Sequence, residues 1–341
     1  MRSRHLPATA LLVSLGLFTG LACASDDGAS EPTATSTVTV YTSRHYGIEP
    51  VFDAFTKATG IQVRFTTGKD PELRERLVAE GENTPADVFI AADAANIELT
   101  SAAGALAKLD STKLTAAIPV ELRSSENTWF ALSRRARVPM YSTERVTTPP
   151  TTYEALGDPE WKGKLCLRPS THPYTQSLVA GLINEVGDEE ATRIVESWVA
   201  NDPLYIDSDT DILKAIQKGD CDVALTNTYY LGRLLTEDPS FPVALSWPNQ
   251  DRKGAHVNVS AGAVTLHAPN PTAAQALLEW LATDGQKQFA DANFEFPADP
   301  SVAPADIITS WGPFTADVAA VRELGSLNPG AVELLSRAGY Q

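Results

Sequence analysis

Hydrophobic residues in the first third of the chain alternate with polar ones over short stretches and then recur every three to four positions. The alternation predicts strands, and the longer period predicts helices. Strands are expected at 37–43, 61–67 and 86–93, and helices at 50–59 and 72–81. Because strands and helices follow one another in turn, this α/β pattern is typical of an open, mainly parallel sheet flanked by helices.

Two long extended segments, 129–142 and 256–268, divide the rest of the chain. Between them, a second α/β series predicts strands at 162–170, 204–209 and 221–227 and helices at 175–187, 211–219 and 229–237. Helical patterns return at 273–293, 310–325 and 331–339. A chain that leaves one unit, builds another and returns predicts two lobes joined by a hinge. We expect lobe one to comprise 37–132 plus 258–300, and lobe two 133–257 plus 301–341.

The N-terminus has the pattern of an export signal. Two arginines precede an apolar run at 11–21, which is too short to span a bilayer. Ala22 and Ala24 fit ordinary signal cleavage. Alternatively, Cys23 ends the apolar run as the lipidated cysteine of a lipoprotein does, although Gly20 occupies a place where a bulky apolar residue is usual. Both cleavage routes therefore stay open.

Residues 1–24 are thus predicted to be a signal peptide, and 25–36 a polar tether. The mature protein is expected to be exported, to the periplasm or to the outer face of the cell membrane. A lipid on Cys23 would then be its membrane attachment.

Composition narrows the classes of function. A chain of 341 residues exceeds the usual size of one domain. It carries 43 acidic residues against 27 Lys and Arg, a formal net charge of −16, which gives no electrostatic footprint for nucleic acid or for an anionic membrane surface. We expect a monomer.

Cys166 and Cys221 form an even pair if Cys23 carries a lipid. In an oxidising compartment, a structural disulfide between them is expected. Two buried free thiols are an alternative. A metal pair is a further alternative, although the sequence has no other cysteine to complete a zinc set.

Three strand-to-helix junctions carry aromatic side chains. His45 and Tyr46 lie in the turn after the first strand, Tyr174 follows a proline that suits a helix start, and Tyr229 and Tyr230 fall in the first turn of a helix. Taken singly, such a histidine is usually a polar loop residue, and such a tyrosine usually packs. However, ligands of open α/β sheets bind beyond the carboxyl ends of the strands, and all three junctions lie at that edge.

Phenolate and imidazole groups are a particular set of metal ligands. A phenolate is a hard anionic donor that suits Fe³⁺, whereas Zn²⁺ prefers Cys or clustered His, and Ca²⁺ prefers carboxylates and carbonyls. Four phenolates and one neutral imidazole around Fe³⁺ leave one negative charge in excess. A nearby cation is therefore expected, and Arg233, one turn after the tyrosine pair, or Arg44, beside His45, could supply it.

The same residues resemble a known family. VYTSRHY (40–46), NTYYLGRLL (227–235), HVNVSAGAV (256–264) and ANFEFPA (292–298) are similar to segments of bacterial ferric-ion-binding proteins, the substrate-capturing subunits of iron ABC importers. The similarity runs from about Val38 to the end of the sequence.

The resemblance implies the two-lobed class II periplasmic-binding-protein fold, with two extended hinge segments. It implies that His45 and Tyr46 are ligands from the first lobe, and that Tyr174, Tyr229 and Tyr230 are ligands from the second. Some members of the family complete the shell with a carbonate-like synergistic anion or with water, and no residue of this sequence decides whether that holds here. The resemblance also implies that an ABC permease receives the iron.

Other classes of function remain to be weighed. A binding protein of the same fold for an organic solute, such as a polyamine, thiamine or an oxyanion, is the alternative. A lipid-anchored adhesin would share only the export signal. The motifs G-x-S-x-G and H-E-x-x-H are absent, and no nucleophile stands beside a base, so we expect no enzymatic activity.

Overall fold

Strands and helices alternate along the chain much as the hydrophobic pattern predicts. A computed structural model describes residues 36–318 and 321–341; the predicted signal peptide, Cys23 and the tether up to residue 35 lie outside the described residues. The strands of the described chain are β1 (Thr37–Thr42), β2 (Gln62–Thr67), β3 (Val88–Ala91), β4 (Phe130–Ser142), β5 (Leu165–Leu167), β6 (Leu204–Tyr205), β7 (Val223–Asn227), β8 (Val243–Leu245), β9 (Ala255–Val264), β10 (Phe296–Pro297) and β11 (Ala316–Asp317).

The helices complete the α/β arrangement. They are α1 (Ile48–Thr59), α2 (Asp70–Glu80), α3 (Ala94–Ala102), α4 (Thr112–Ala117), α5 (Pro173–Val186), α6 (Asp188–Ala200), α7 (Asp209–Lys218), α8 (Thr228–Glu237), α9 (Pro271–Ala282), α10 (Gln286–Asp291), α11 (Asp306–Thr309) and α12 (Leu324–Arg337). The pattern did not predict α3, α4, α6 or α11. The helix that it predicted at 310–325 is wrong: the described part of this segment contains turns and β11, and only its last two residues belong to α12. No helix in the described part of the chain is both long enough and apolar enough to cross a membrane.

Two sheets meet at β4. On one side the strand order is β2-β1-β3-β9-β4, and on the other it is β4-β7-β5-β6. Residues 130–136 of β4 pair with β9, whereas residues 137–142 pair with β7 and β8. The outer strands of each sheet are parallel, and β4 and β9 are the long antiparallel strands at the centre. We call the β1 side the first lobe and the β7 side the second lobe.

This arrangement confirms the predicted two-lobed α/β fold. The extended segments predicted at 129–142 and 256–268 correspond to β4 and β9, although β9 ends at Val264. The residue limits given above for the two lobes stay predictions.

The turn after β1 is shaped by glycine. Gly47 precedes α1 with φ of 61°, in the left-handed region, and Gly60 follows it with φ of 78°. The helix therefore starts at Ile48, two residues before the predicted start. Phe52 and Phe55 are buried and fix α1 on the lobe, through ring contacts of 5.4 Å with Phe65 and 5.6 Å with Trp280. This packing holds the first junction in place.

A disulfide joins the two strands that lead to the second-lobe junctions. Cys166 lies in β5 and Cys221 just before β7, with their Cα atoms 5.9 Å apart and both side chains buried. Cys166 precedes Tyr174 by eight residues, and Cys221 precedes Tyr229 by eight. The disulfide therefore links the chain segments that lead to Tyr174 and to Tyr229.

Candidate metal centre

The first turns of α5 and α8 hold three tyrosines side by side. Tyr174 is the second residue of α5, while Tyr229 and Tyr230 are the second and third residues of α8. Both helices follow strands that are parallel neighbours, β5 and β7, so their first turns meet at one edge of the sheet. The Tyr174 and Tyr229 hydroxyl oxygens lie 3.2 Å apart, and the ring centroids of Tyr229 and Tyr230 are 4.2 Å apart.

Burial raises the pKa of all three phenols above its ordinary value. The neighbouring phenols add to this effect, because two phenolates side by side repel each other. Arg135 acts in the opposite direction on Tyr174 and Tyr229: its guanidinium carbon lies 5.3 Å from the centre of the Tyr174 ring. The phenols are therefore protonated in the metal-free protein at neutral pH, and a bound cation would have to displace their protons.

The first lobe contributes a histidine and a tyrosine on the turn between β1 and α1. The rings of His45 and Tyr46 are 4.0 Å apart, and Tyr46 is 43% exposed. His45 Nδ1 lies 3.2 Å from the carbonyl oxygen of Ser43. Because a carbonyl oxygen can only accept, Nδ1 carries the proton in the neutral ring, and Nε2 keeps its lone pair for a ligand.

One cavity of about 540 Å³ brings the two sets together. Its walls include all of the predicted ligands, His45, Tyr46, Tyr174, Tyr229 and Tyr230, as well as Arg44, Lys69, Asp70, Arg168, His172, Asp207 and Asn293. In residues 36–318 and 321–341, no three His, Cys, Asp or Glu side chains come together as a metal site, whereas four tyrosines share this cavity.

The predicted cation Arg233 lies among the tyrosines of both lobes. Its guanidinium carbon is 3.7 Å from the centre of the Tyr46 ring, 5.2 Å from that of Tyr229 and 5.4 Å from that of Tyr230. It also donates a hydrogen bond to Asn293 Oδ1. A positive charge is thus available where phenolates would form.

Arg44 occupies a different place from Arg233, beneath the turn. Its guanidinium is buried and forms an ion pair with Glu295, and it also donates to Ser133 Oγ and to the Phe289 carbonyl oxygen. Burial alone would raise the pKa of Glu295, but Arg44 and Arg135 hold that pKa below its ordinary value. The charge of Arg44 is therefore largely offset by a carboxylate, and the side chain supports the His45–Tyr46 turn from inside.

Sequence reasoning missed Arg135 and Asp70. Arg135 is buried and donates to the Ala92 carbonyl oxygen, and its Nη1 has no hydrogen-bond partner among the described residues. Burial raises the pKa of Asp70 to about 7, against the opposing hydrogen bond from Ser43. One signal could have revealed Arg135: three arginines lie within the otherwise apolar run 129–142, and a buried arginine needs a partner.

His172 lines the same cavity and is the N-cap of α5. Its Nδ1 accepts a hydrogen bond of 3.2 Å from the backbone N–H of Tyr174. Burial, helped by Arg168 and Arg137, lowers the pKa of His172 to about 3, so the ring is neutral at physiological pH. It therefore fixes the start of the helix that carries Tyr174.

Known proteins are similar to this chain in sequence and in fold. A Trichodesmium protein named IdiA or FutA, solved in complex with iron and citrate, has a TM-score of 0.84 and is 38% identical, covering 90% of this chain and 100% of that one. Iron uptake protein A1 of Synechocystis sp. is 36% identical over 325 residues, which is 92% of this chain and 90% of the relative. The Fe(3+)-binding periplasmic protein of Serratia marcescens is 28% identical over 319 residues, or 92% and 93%.

The two lobes and the cavity at their sheet edges define a solute-binding protein. The family described as bacterial extracellular solute-binding protein matches residues 51–316. The chain belongs to this family, and the resemblance to ferric-ion-binding proteins is confirmed.

Proposed function

We propose that this protein captures Fe³⁺ between its two lobes outside the cytoplasm and delivers it to an ABC permease for import. The observation that carries the proposal is the convergence of four tyrosines and His45 on one cavity. Phenolate oxygens are hard anionic donors, and Fe³⁺ is a hard trivalent cation. The names of the relatives, an iron uptake protein and an Fe(3+)-binding protein, support the same ligand.

Capture begins at the second lobe. Tyr229 is buried, and the half-buried Tyr174 and Tyr230 lie beside it, so the three form a prepared partial shell that needs little rearrangement. The trivalent charge supplies the free energy that removes the phenol protons. The first lobe then adds His45 and Tyr46 as the lobes close around the hinge, and iron binding favours this closed form.

Two arginines balance the charge of the loaded site. The ligand set leaves one negative charge in excess on Fe³⁺, and the guanidinium of Arg233 lies within 5.4 Å of three of the tyrosine rings. Arg135 lies beneath the Tyr174 ring and lowers the cost of ionising Tyr174 and Tyr229. Arg44, in contrast, supports the turn that carries His45 and Tyr46.

A small coligand completes the shell. The cavity of about 540 Å³ is far larger than a single ion, since a water molecule takes roughly 30 Å³. Lys69 from the first lobe and Arg168 from the second line the cavity and would favour an anion, such as a carboxylate, over a neutral solute, although Arg168 also pairs with Asp207 and Asp209. The Trichodesmium protein was solved with citrate, a carboxylate, as well as iron.

The alternative is an organic solute without iron. The cavity volume falls within the range of about 300–1,000 Å³ that is usual for small-molecule sites, so the cavity is large enough for a small organic solute. An organic solute would leave the phenols protonated. The alternative therefore predicts a colourless protein and no release of phenol protons on binding.

The proposal also covers the assembly state, the activity and the location of the protein. The protein acts as a monomeric binding subunit without enzymatic activity, in the periplasm or on the outer face of the cell membrane. A lipid on Cys23 anchors it if the lipoprotein route is used.

Metal analysis and a visible titration test the proposal. Protein purified without chelator, and apo-protein titrated with ferric citrate, should bind one iron per chain and turn red-orange through a phenolate-to-iron charge-transfer band. Titration with Zn²⁺ and with a polyamine provides the comparison, and neither should produce the band. Colourless protein that binds no iron but binds the polyamine would overturn the proposal in favour of the alternative.

A further inference from the structure

Residues 292–295 follow α10 and contact parts of the site that belong to each of the two lobes. We call this segment the 292–295 turn; it is the start of ANFEFPA, a segment to which the proposed function assigns no role. It leads directly into β10, which pairs with β4 at Ser133 and Arg134 in the first-lobe sheet. The turn is therefore anchored in the first lobe.

The turn supports both ends of the segment that carries His45 and Tyr46. A Cβ atom at Gly47 would lie 2.8 Å from the Ala292 carbonyl oxygen, so the two backbones meet with no room for a side chain. At the other end, Glu295 forms the buried ion pair with Arg44. The position of the first-lobe ligands thus depends on where this turn lies.

The same turn contacts α8 of the second lobe. Asn293 Oδ1 accepts a hydrogen bond from Arg233. One residue further on, Phe294 packs against Gly232, where a Cβ atom would lie 3.1 Å from the Phe294 Cβ. Phe294 has φ of 53°, which is uncommon for a bulky residue and persists only where the surrounding structure holds it.

Arg233 links these contacts to a ligand. While one face of its guanidinium covers the Tyr46 ring at 3.7 Å, an N–H of the same group is held by Asn293. Asn293 is only 5% exposed, and its Nδ2 donates to Glu295 Oε1 at 2.9 Å, which extends the polar contacts to Arg44. A movement that separates α8 from the turn must break the contacts of Arg233 with both Tyr46 and Asn293.

We propose that Asn293 is a positioning residue that joins the two lobes in the closed protein and thereby slows the release of iron. The inference rests on the proposed function, because iron is the ligand whose release it controls. Asn293 lines the cavity and acts through Arg233 and Tyr46. Its loss would leave a part-buried guanidinium N–H without its partner, which weakens the closed form more than the open one.

Iron release from loaded protein tests this role. Protein loaded with ferric citrate is mixed with excess EDTA, and the decay of the charge-transfer band gives the release rate. Asn293→Ala should release iron at least about tenfold faster than the wild type, because a hydrogen bond to a charged group is lost. The wavelength of the band should not change, since all ligands remain. Asn328→Ala is the matched control: it removes an amide that contacts Gln176 on α5, away from the turn.

A pair of glycine variants tests the contact without removing a polar group. Gly232→Ala places a methyl group against Phe294, whereas Gly330→Ala, also within a helix, has its nearest neighbour, Ile183 Cδ1, at 3.9 Å. Both changes gain similar helix propensity. Only Gly232→Ala should speed the release of iron. This pair also decides the question if Asn293→Ala does not fold, which the melting temperature of the apo-protein reports.

The outcomes separate the two proposals. Release rates of Asn293→Ala and Gly232→Ala that are indistinguishable from the wild type would overturn the role of the turn while leaving iron binding intact. A wild-type protein that shows no charge-transfer band would overturn the proposed function itself, and the role in iron release with it.

Discussion

The two lobes hold their parts of the site in different ways. In the second lobe, Tyr174, Tyr229 and Tyr230 are packed together on the first turns of two helices, and a disulfide joins the strands before those helices. In the first lobe, His45 and Tyr46 lie on a turn, and Tyr46 is 43% exposed. From this difference we infer that the second lobe, whose tyrosines are packed together, captures the ion first. The more exposed ligands of the first lobe then close over it.

The physical basis of this difference is the support beneath each set. The second-lobe phenols are held by their own helices and by one another, so their positions do not depend on closure. The first-lobe turn depends on the Arg44–Glu295 ion pair and on the backbone contact with Ala292. We expect the two sets to respond differently to substitution.

Removing a second-lobe ligand should have the largest effect. Tyr229→Phe keeps the buried ring and deletes the central oxygen, so affinity for Fe³⁺ should fall by more than about 100-fold, beyond the loss usual for residues that only support a ligand. Competition with citrate measures the affinity. Tyr141→Phe, a half-buried tyrosine outside the cavity, is the control and should bind like the wild type. An unchanged affinity in Tyr229→Phe would remove this tyrosine from the site.

The pH dependence sharpens the comparison. Burial raises the pKa of Tyr174, Tyr229 and Tyr230, so each phenol holds a proton at neutral pH and releases it when iron binds. Affinity should therefore fall as pH falls, by about tenfold per pH unit for each proton released.

Calorimetry in two buffers with different ionisation enthalpies counts these protons. The Tyr229→Phe protein should release one proton fewer per iron than the wild type. If iron binding released no protons, the second-lobe phenols would not act as phenolate ligands.

Removing the first-lobe phenol oxygen should have the smallest effect on affinity. Tyr46→Phe keeps the ring under Arg233, and water can reach the exposed position to replace the lost oxygen, so we expect a loss of about tenfold. Most of it should appear as faster release into EDTA. A loss as large as that of Tyr229→Phe would show that the lobes do not differ in the way that their burial suggests.

The hydrophobic pattern predicted most of the strands and helices that position the site. The period at 50–59 corresponds to α1, because one face of that helix is buried and repeats every turn. The prediction at 175–187 corresponds to α5, which is buried over the consecutive residues 177–182. The pattern missed α3, which has little amphipathic contrast in a largely buried sequence. It also missed α6, whose acidic first turn precedes a clear apolar face.

Candidate ligands could be proposed from the sequence because each follows a predicted strand, and a parallel sheet collects such positions at one edge. The partners of the charged residues could not be proposed from the sequence. Arg44 and Glu295 are 251 positions apart, and nothing local to either residue announces the other. Asn293 was missed for the same reason, whereas the three arginines within 129–142 could have pointed to Arg135.

The sequence by itself determined the alternation of strands and helices that carry the site, the two-lobed α/β class and the residue types available for iron, because hydrophobic period and side-chain chemistry are local properties. Only the tertiary structure decided which arginine faces the phenols, which one is offset by a carboxylate, and how the 292–295 turn meets α8. A charge acts on whatever lies a few ångströms away, and those neighbours are set by the packing of the whole chain.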